Sequence, residues 1–355
     1  ETGKELVTKL YNNLIQRDNV TLLTGAEVIS NSGNIGDFKM KIKIAPRYIK
    51  KKCDEGKLQK AIDVCPVQVP DEFNFNITTR KAIYHNFPSE FPQYPVIDIK
   101  NCTRCGECEK ICESVDLSQK EEIIEIQVGS VLMATGFDPY TPSEGEFGYQ
   151  QFDNVITLPQ FKRIIDLNNK KLVFREKEIK NIAYIYCVGS RQVEGGKIAG
   201  ENKYCSRYCC TSVIHAAIQA KKKFDHINNY HFTRGIRTYG KQEILYSESL
   251  KGGDIYLQSY EDDPPVVSSE HDKTIVKIND ILTGKKEISV EADLVVLVTG
   301  MVPRADNSVG SLFKLPRGRD KFFNEIHMKL RPVETVIDGV TISGASQGPK
   351  NITES

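Results

Sequence analysis

Ten cysteines dominate the chemistry open to this chain, six of them between Cys53 and Cys112 and four between Cys187 and Cys210. Cys102, Cys105, Cys108 and Cys112 follow the spacing Cys-x2-Cys-x2-Cys-x3-Cys. In such a run three thiolates wrap one iron–sulfur cube and the fourth reaches a neighbouring cluster. Tetrahedral zinc sites use similar pairs, but three cysteines at successive gaps of two favour a cluster. The fourth ligand of the triplet is a distant cysteine followed by proline, and Cys65-Pro66 fits it. The first predicted set is therefore Cys65, Cys102, Cys105 and Cys108. A second ferredoxin-type cube would need Cys112 and an upstream triplet, where Cys53 stands alone. That cube is expected to be absent, with Cys53 and Cys112 left as free thiols, unless a non-cysteine ligand completes it.

The second group comprises Cys187, Cys205, Cys209 and Cys210. Cys187 follows the apolar run Ile182–Tyr186, which reads as a buried strand. A helix is expected from about Ser206 to Lys223, with Cys205 and Cys209 on one side of its first turn. A dinucleotide-binding unit holds its pyrophosphate at such a place, where a strand end faces a helix N-terminus that favours anions and thiolates. Cys187-Val188-Gly189-Ser190-Arg191 lacks the G-x-G-x-x-G fingerprint, so cysteines stand where a nicotinamide cofactor would sit. Four thiolates point to a cubane cluster. A Cys209–Cys210 disulfide, buried thiols acting as small apolar groups and a structural zinc remain alternatives.

Two strand ends suggest flavin. Buried runs close on Ala134-Thr135-Gly136 and on Thr299-Gly300, and Val340–Ile342 leads into Gly344-Ala345-Ser346-Gln347-Gly348-Pro349. Backbone amides at such a turn can meet ribityl or pyrophosphate oxygens. The predicted cofactor contacts are Ala134, Thr135, Gly136, Gly300, Gly344, Gln347 and Gly348.

The elements that position these residues read as α/β. The 355 residues suffice for two domains or one large one. A helix is expected over Leu6–Ile15, a short buried strand over Val20–Leu23, and alternating antiparallel strands over Ala26–Ile29 and Phe38–Ile44. Residues 46–116 change to cysteines, prolines and little periodicity, as an inserted metal-organised module would. Strands at Ile123–Val128 and Ser130–Ala134, a helix at Leu158–Leu167, a hairpin at Leu282–Lys285 and a buried strand at Leu294–Val298 follow. The expected division is 1–45, 46–116, 117–150, 151–300 and 301–355. Both ends read as cut, since Glu1 opens directly into a helical pattern and Ser355 follows a turn whose helix would only be starting.

Lys and Arg number 48 against 47 acidic residues, a net charge of +1 that gives no general pull toward nucleic acid or an anionic membrane. No apolar run approaches the roughly 18 residues of a membrane span, so a soluble, cytoplasmic protein is expected. The six histidines show no metal spacing, and Lys50-Lys51-Lys52 reads as a solvated turn.

Cys187-Val188-Gly189-Ser190-Arg191, Tyr204-Cys205-Ser206-Arg207-Tyr208-Cys209-Cys210, Lys329-Leu330-Arg331-Pro332-Val333 and Gln347-Gly348-Pro349-Lys350 together resemble the A-type iron-sulfur subunit of CoB-CoM heterodisulfide reductase, over essentially the whole chain. The resemblance implies a two-dinucleotide-binding-domain, thioredoxin-reductase-like FAD flavoprotein with an inserted ferredoxin-like module. It implies two [4Fe-4S] clusters, one held by Cys187, Cys205, Cys209 and Cys210 close to the flavin. In this scheme residues 1–45, 117–150 and 301–355 belong to the FAD domain, and 151–300 is a nicotinamide-type domain converted to a cluster site. Implied partners are B- and C-type heterodisulfide reductase subunits, a hydrogenase or formate dehydrogenase module, and ferredoxin, in the setting of methanogenesis. Lys329 would offer positive charge to the flavin anion. His215 and Gln160 stand where lysine and glutamate are common, which implies altered charge and proton balance around the flavin and leaves electron bifurcation open.

The resulting expectation is an oxidoreductase subunit that passes electrons between flavin, clusters and redox partners. A pyridine-nucleotide-dependent disulfide reductase would need the missing fingerprint and a redox dithiol. A zinc-stabilised scaffold would hold zinc without iron.

Overall fold

A computed structural model describes residues 3–50, 54–87, 90–92, 94–194, 201–271 and 273–355, which form two compact units, Glu1–Gly129 and Ser130–Ser355.

The first unit opens with helix α1 (Gly3–Ile15), whose Val7, Leu10 and Leu14 stay about half exposed while Tyr11 stacks on Phe91 at 4.2 Å. The expected strand at Val20–Leu23 does not form: Val20 and Leu22 are exposed. An apolar run becomes a buried strand only where a neighbour supplies its hydrogen bonds, and among the described residues none pairs with it. Strands β1 (Ala26–Ser32) and β2 (Phe38–Ile44) do pair antiparallel, and β2 alternates buried Phe38, Met40 and Ile42 with exposed lysines, as one covered face demands.

The cysteine-rich stretch holds two short helices, α2 (Glu55–Val64) and, further on, α3 (Glu107–Ile111), each closed at its C-cap by a cysteine, Cys65 and Cys112. Between them β3 (Ile83–Tyr84) pairs with β4 (Val96–Ile97). Ile49, Ala61, Ile83, Ile97 and Val115 form the core of this part with Cys108 and Cys112. Arg80, almost wholly buried, is held by Glu72 at 2.7 Å and Asp98 at 3.0 Å and lies over the Tyr84 ring. Strand β5 (Glu122–Val128) then returns beside β2, pairing Phe38 with Val128 and Ile44 with Glu122.

The second unit begins with β6 (Val131–Met133) and a short β7 (Phe137–Pro139). Strand β8 (Val155–Thr157) leads at once into α4 (Leu158–Leu167), where Thr157 and Gln160 form a capping box with Pro159 in the first turn. Next come β9 (Asn181–Val188), α5 (Cys209–Lys223), β10 (Asn228–Thr233), α6 (Glu243–Lys251) and β11 (Ile255–Gln258). Three basic residues end α5, complementing its dipole. An antiparallel group follows, β12 (Val266–Glu270), β13 (Lys273–Asp280) and β14 (Lys286–Ala292), with Gly284 at φ 76° in the β13–β14 hairpin and Asp280 capping that turn. Strand β15 (Leu294–Thr299) is buried at every residue, as its continuous apolar run requires of a central parallel strand. It is followed by β16 (Met301–Pro303), and β17 (Val340–Ile342) pairs parallel with β6.

The main sheet runs β8-β15-β9-β10-β11, all parallel. Its face carries Ala183, Ile185, Val295 and Leu297 against Val276, Ile278 and Val290 of the antiparallel group. The chain leaves β9 toward β10 and β11 on one side and returns on the other through β15, so the strand order reverses beside the end of β9. Ligands of open parallel sheets bind at that reversal.

Candidate metal and flavin site

In the first unit Cys65, Cys102, Cys105 and Cys108 line one cavity of about 330 Å³ with Val67, Ile83 and Ile97. Cys65 arrives from the end of α2 and Cys108 from the first turn of α3, while Cys102 and Cys105 lie in the loop before α3. Burial first, and then the neighbouring thiolates of Cys102 and Cys105, push the Cys108 thiol up to about 11. Thiolates cannot gather here uncompensated, so a bound cation that neutralises them displaces protons as it binds. Lys81 places its ammonium on the Cys65 carbonyl at 2.8 Å, adding positive charge at the edge of the set.

Cys112 is wholly buried and disulfide-bonded, which corrects its reading as a free thiol: the core packed round the end of α3 hides the sulfur. Cys53 lies outside the described residues.

In the second unit Cys187 closes β9 at the strand-order reversal, and Cys209 and Cys210 are the first two residues of α5. Their thiols share one electrostatic neighbourhood. Cys209 is raised well above its usual value, first by the hydrogen bond with Cys210 and then by burial, with Cys187 and Cys205 adding repulsion. Cys210 is lowered to about 7, chiefly by the hydrogen bond from Cys209, with help from Arg191 and Arg237 against its burial. Cys187 is raised by burial despite Arg234 and Arg191, whose Nη1 lies 3.7 Å from its sulfur. Its own backbone sits at φ 61°, a strained conformation for a cysteine at the end of a strand.

The helix starts three residues later than expected, so Cys205 is in the preceding loop rather than on the first turn of α5. Two observations explain the delay. Arg207 is left-handed at φ 56°, which a helix cannot accept. Ser206 is tied elsewhere, its Oγ accepting from Met301 N at 3.0 Å and its N–H donating to Ser190 Oγ at 3.1 Å.

The two cysteine groups share a local device that the sequence reading overlooked. In Cys102-Thr103-Arg104 and in Cys205-Ser206-Arg207 the arginine is left-handed, at 55° and 56°, and its backbone N–H lies 3.4 Å from the first cysteine's sulfur. An N–H aimed at sulfur steadies a thiolate and tunes the metal bound to it. The signal was legible as a repeated Cys-(Thr/Ser)-Arg. Among the described residues no group of three or more His, Cys, Asp or Glu side chains forms a site for a single metal ion; a cube spreads its four thiolates over four irons.

Gly300 is closely packed. A Cβ there would come 2.6 Å from Ser206 Oγ and 2.9 Å from Ser190 Cβ, so this glycine lets β15 pass under the Cys205 loop. Gly189, at φ 68°, likewise has the Tyr140 ring where a side chain would be. Thr135 and Gly136 share a cavity of about 280 Å³ with Ser346, Asn307 and Arg304. The Met133 carbonyl accepts from Ser343 N at 2.9 Å and Ser346 Oγ at 3.2 Å, joining the turns at the ends of β6 and β17. Ala134 is exposed, and Gly344, at φ 66°, opens the second turn. Gln347 donates to the Pro332 carbonyl at 2.6 Å and Glu325 at 3.0 Å, while Arg207 reaches the carbonyl of Pro349, just after Gly348, at 2.6 Å. The Cys205 loop and the glycine-rich turn are thereby fastened together.

Lys329 lies exposed on a turn between His327 and Arg331, its backbone N–H on His327 Nδ1. His215 faces Lys162, Lys222 and Glu248 on the outer side of α5, and burial followed by those lysines holds its imidazole below the ordinary value. Gln160 Oε1 accepts from Thr157 N at 2.8 Å, a role open equally to glutamate.

Comparison with known proteins supplies relatives along nearly the whole chain. No family model matches it. The chain is 35% identical over 354 residues to the A-type iron-sulfur subunit of CoB-CoM heterodisulfide reductase from Methanocaldococcus jannaschii, covering 95% of this chain and 52% of that protein. It is a relative of the heterodisulfide reductase A-type subunits. Identity is 36% over 351 residues to the A-type subunit of the H2:CoB-CoM heterodisulfide,ferredoxin reductase of Methanothermobacter marburgensis, covering 96% and 52%. It is 33% over 391 residues to the A-type subunit of the ferredoxin:CoB-CoM heterodisulfide reductase of Methanosarcina acetivorans, covering 98% and 47%. The chain thus spans about half the length of these relatives. Among solved structures, LpdA of Mycobacterium tuberculosis superposes with a TM-score of 0.47 at 11% identity, over 98% of this chain and 50% of that one. Thioredoxin reductase of Lactococcus lactis gives 0.39 at 15% identity, over 77% and 80%. No helix among the described residues is long and apolar enough to cross a membrane.

Proposed function

We propose that the chain is the electron-transferring part of an iron–sulfur flavoprotein oxidoreductase of the heterodisulfide reductase type. The observation that carries the reading is the gathering of cysteines: four line one cavity, and four more share the strand-order reversal of the main sheet. Cys65, Cys102, Cys105 and Cys108 would hold one [4Fe-4S] cluster and Cys187, Cys205, Cys209 and Cys210 another. Thr135, Gly136, Gly344, Gln347 and Gly348 would meet FAD. When bound, flavin takes electrons in pairs and clusters pass them singly.

In this reading each side chain has a defined task. The Arg104 and Arg207 amides donate to ligand sulfurs, and Arg191 and Arg234 face Cys187, favouring its thiolate. Arg207 also ties the Cys205 loop to the glycine-rich turn, fixing the cluster loop against the flavin turn. Tyr186, wholly buried beside Cys209 and Cys210, keeps its phenol protonated and on His231, so it adds no further anion to the thiolates. Ferredoxin and B- and C-type heterodisulfide reductase subunits are the partners this reading implies, with a hydrogenase or formate dehydrogenase module as donor.

The test is EPR on anaerobically reconstituted protein titrated with dithionite. Two cluster signals at distinct potentials, one lost in Cys105→Ser and the other in Cys209→Ser, are expected. A reduced protein without cluster signals ends the electron-transfer reading.

A further inference from the structure

Beyond the cysteines, the carboxyl ends of β9, β10 and β11 enclose a cavity of about 520 Å³, counted to its open mouth, which reaches Cys187 on one side. Its place is where parallel sheets bind nucleotides. Two polar atoms on its wall lack partners. Ser259 is only 3% exposed and its Oγ makes no hydrogen bond. Glu146 Oε2 accepts from Tyr140 Oη at 2.9 Å and Ser143 N at 3.0 Å, but the buried Oε1 accepts from nothing. A buried carboxylate oxygen and a buried hydroxyl left unpaired in the lining of one cavity each carry a desolvation cost that a bound partner removes.

The rest of the lining limits what that donor can be. Phe147, Pro264 and Pro265 offer flat apolar surface for a ring, and Arg234 stands at the end of β10, its guanidinium donating to the Ser190 carbonyl at 3.0 Å. In dinucleotide-binding sheets the carboxylate that pairs with a ribose hydroxyl ends the strand after the glycine-rich turn; here Arg234 holds that place, and Glu146 brings its carboxylate from a turn before β8. A whole dinucleotide does not fit, because Cys187 stands near the end of β9 and the Tyr140 ring lies over Gly189, in the turn that would carry the pyrophosphate.

We propose that this cavity binds a ribonucleoside monophosphate, with the base between Phe147 and the Pro264-Pro265 pair, the ribose diol on Glu146 Oε1 and Ser259, and the phosphate toward Arg234. The half of a dinucleotide site taken over by cysteines is lost, and the nucleoside half remains. A nucleotide held against Cys187 would link electron traffic through the second cysteine group to nucleotide supply. The site itself stands without the flavin or cluster assignments.

The experiment is calorimetric titration of AMP and 2′-deoxy-AMP into the anaerobically prepared protein, wild type and Glu146→Gln. Saturable AMP binding is expected, weaker by about tenfold for 2′-deoxy-AMP, which has lost one hydroxyl. Glu146→Gln weakens AMP by about tenfold or more and removes the discrimination, with iron content and thermal melting equal to wild type. Ser259→Ala, a smaller change, weakens AMP in the same direction. No AMP binding at millimolar concentration, or AMP binding indifferent to Glu146→Gln, overturns the proposal and leaves the electron-transfer reading as it stands.

Discussion

Gly300→Ala tests how the second cysteine group is built. The new Cβ would lie 2.6 Å from Ser206 Oγ, 2.9 Å from Ser190 Cβ and 3.2 Å from the Gly189 carbonyl. Backbone and two buried serines surround it, so the Cys205 loop must lift away from β15. Overpacking of this kind costs about 1–3 kcal/mol. Lifting the loop also strains the Met301 N to Ser206 Oγ and Ser206 N to Ser190 Oγ bonds, each worth about 1 kcal/mol. The expected loss is roughly 2–4 kcal/mol, read from urea melts of the anaerobic protein. The loss is local to the loop that delivers Cys205, so iron should fall by about four per chain, with the EPR signal of the Cys65 group unchanged. Ser206→Ala, which removes the hydroxyl and orphans Met301 N, should cost about 1–3 kcal/mol and also loosen the second cluster. A Gly300→Ala protein within about 0.5 kcal/mol of wild type and with full iron would refute this account of the loop.

Other expectations follow from the same geometry. Gln160→Ala should cost about 0.5–2 kcal/mol through the lost capping box, whereas Gln160→Glu should be neutral in denaturant melts; a large effect of the glutamate on stability would contradict the capping role. Arg80→Met should cost about 1–3 kcal/mol by removing the guanidinium from Asp98, which is partly exposed and keeps its bonds from Asn101, and a melt unchanged from wild type would show that the triad contributes little. Burial holds the wholly enclosed His231 imidazole below its ordinary value despite Asp254, so it is neutral in the fold and protonatable when unfolded. The unfolded state then binds the extra proton, and stability should fall by up to about 1.4 kcal/mol per pH unit below about pH 6.5; His231→Gln should flatten that slope. Burial alone would raise Asp254, but bonds from Ser249, Lys221 and Asn229 outweigh it and hold the carboxyl well below the usual range, with His231 Nε2 3.7 Å away. Its contribution is present above roughly pH 4 and lost as pH falls through the folded value, so that acid limb should survive in His231→Gln and disappear in Asp254→Asn.

Much of this was legible because cysteine spacing and apolar runs are local signals. Leu294–Thr299 reads as a central strand on composition alone, and the triplet Cys102, Cys105, Cys108 with Cys65-Pro66 names four residues that line one cavity. What escaped depended on contacts far along the chain. The start of α5 is delayed by a hydroxyl bonded to Met301, 95 residues away. The close packing of Gly300 against Ser206 and Ser190 likewise had no local signal. Val20–Leu23 has the apolar character of a strand and lacks a described strand to pair with it. Gln160 is different: Thr157-Leu158-Pro159-Gln160 is a capping signature in plain view, overlooked because the replacement of a charged glutamate drew attention from its position.

The most direct test of the central claim is iron and acid-labile sulfide per chain after anaerobic reconstitution, for wild type, Cys105→Ser and Cys209→Ser. Two cubes, one in each cysteine group, require about eight irons and eight sulfides in the wild type and about four of each in either variant. Zinc in place of iron, or a variant that keeps the wild-type iron, would contradict it.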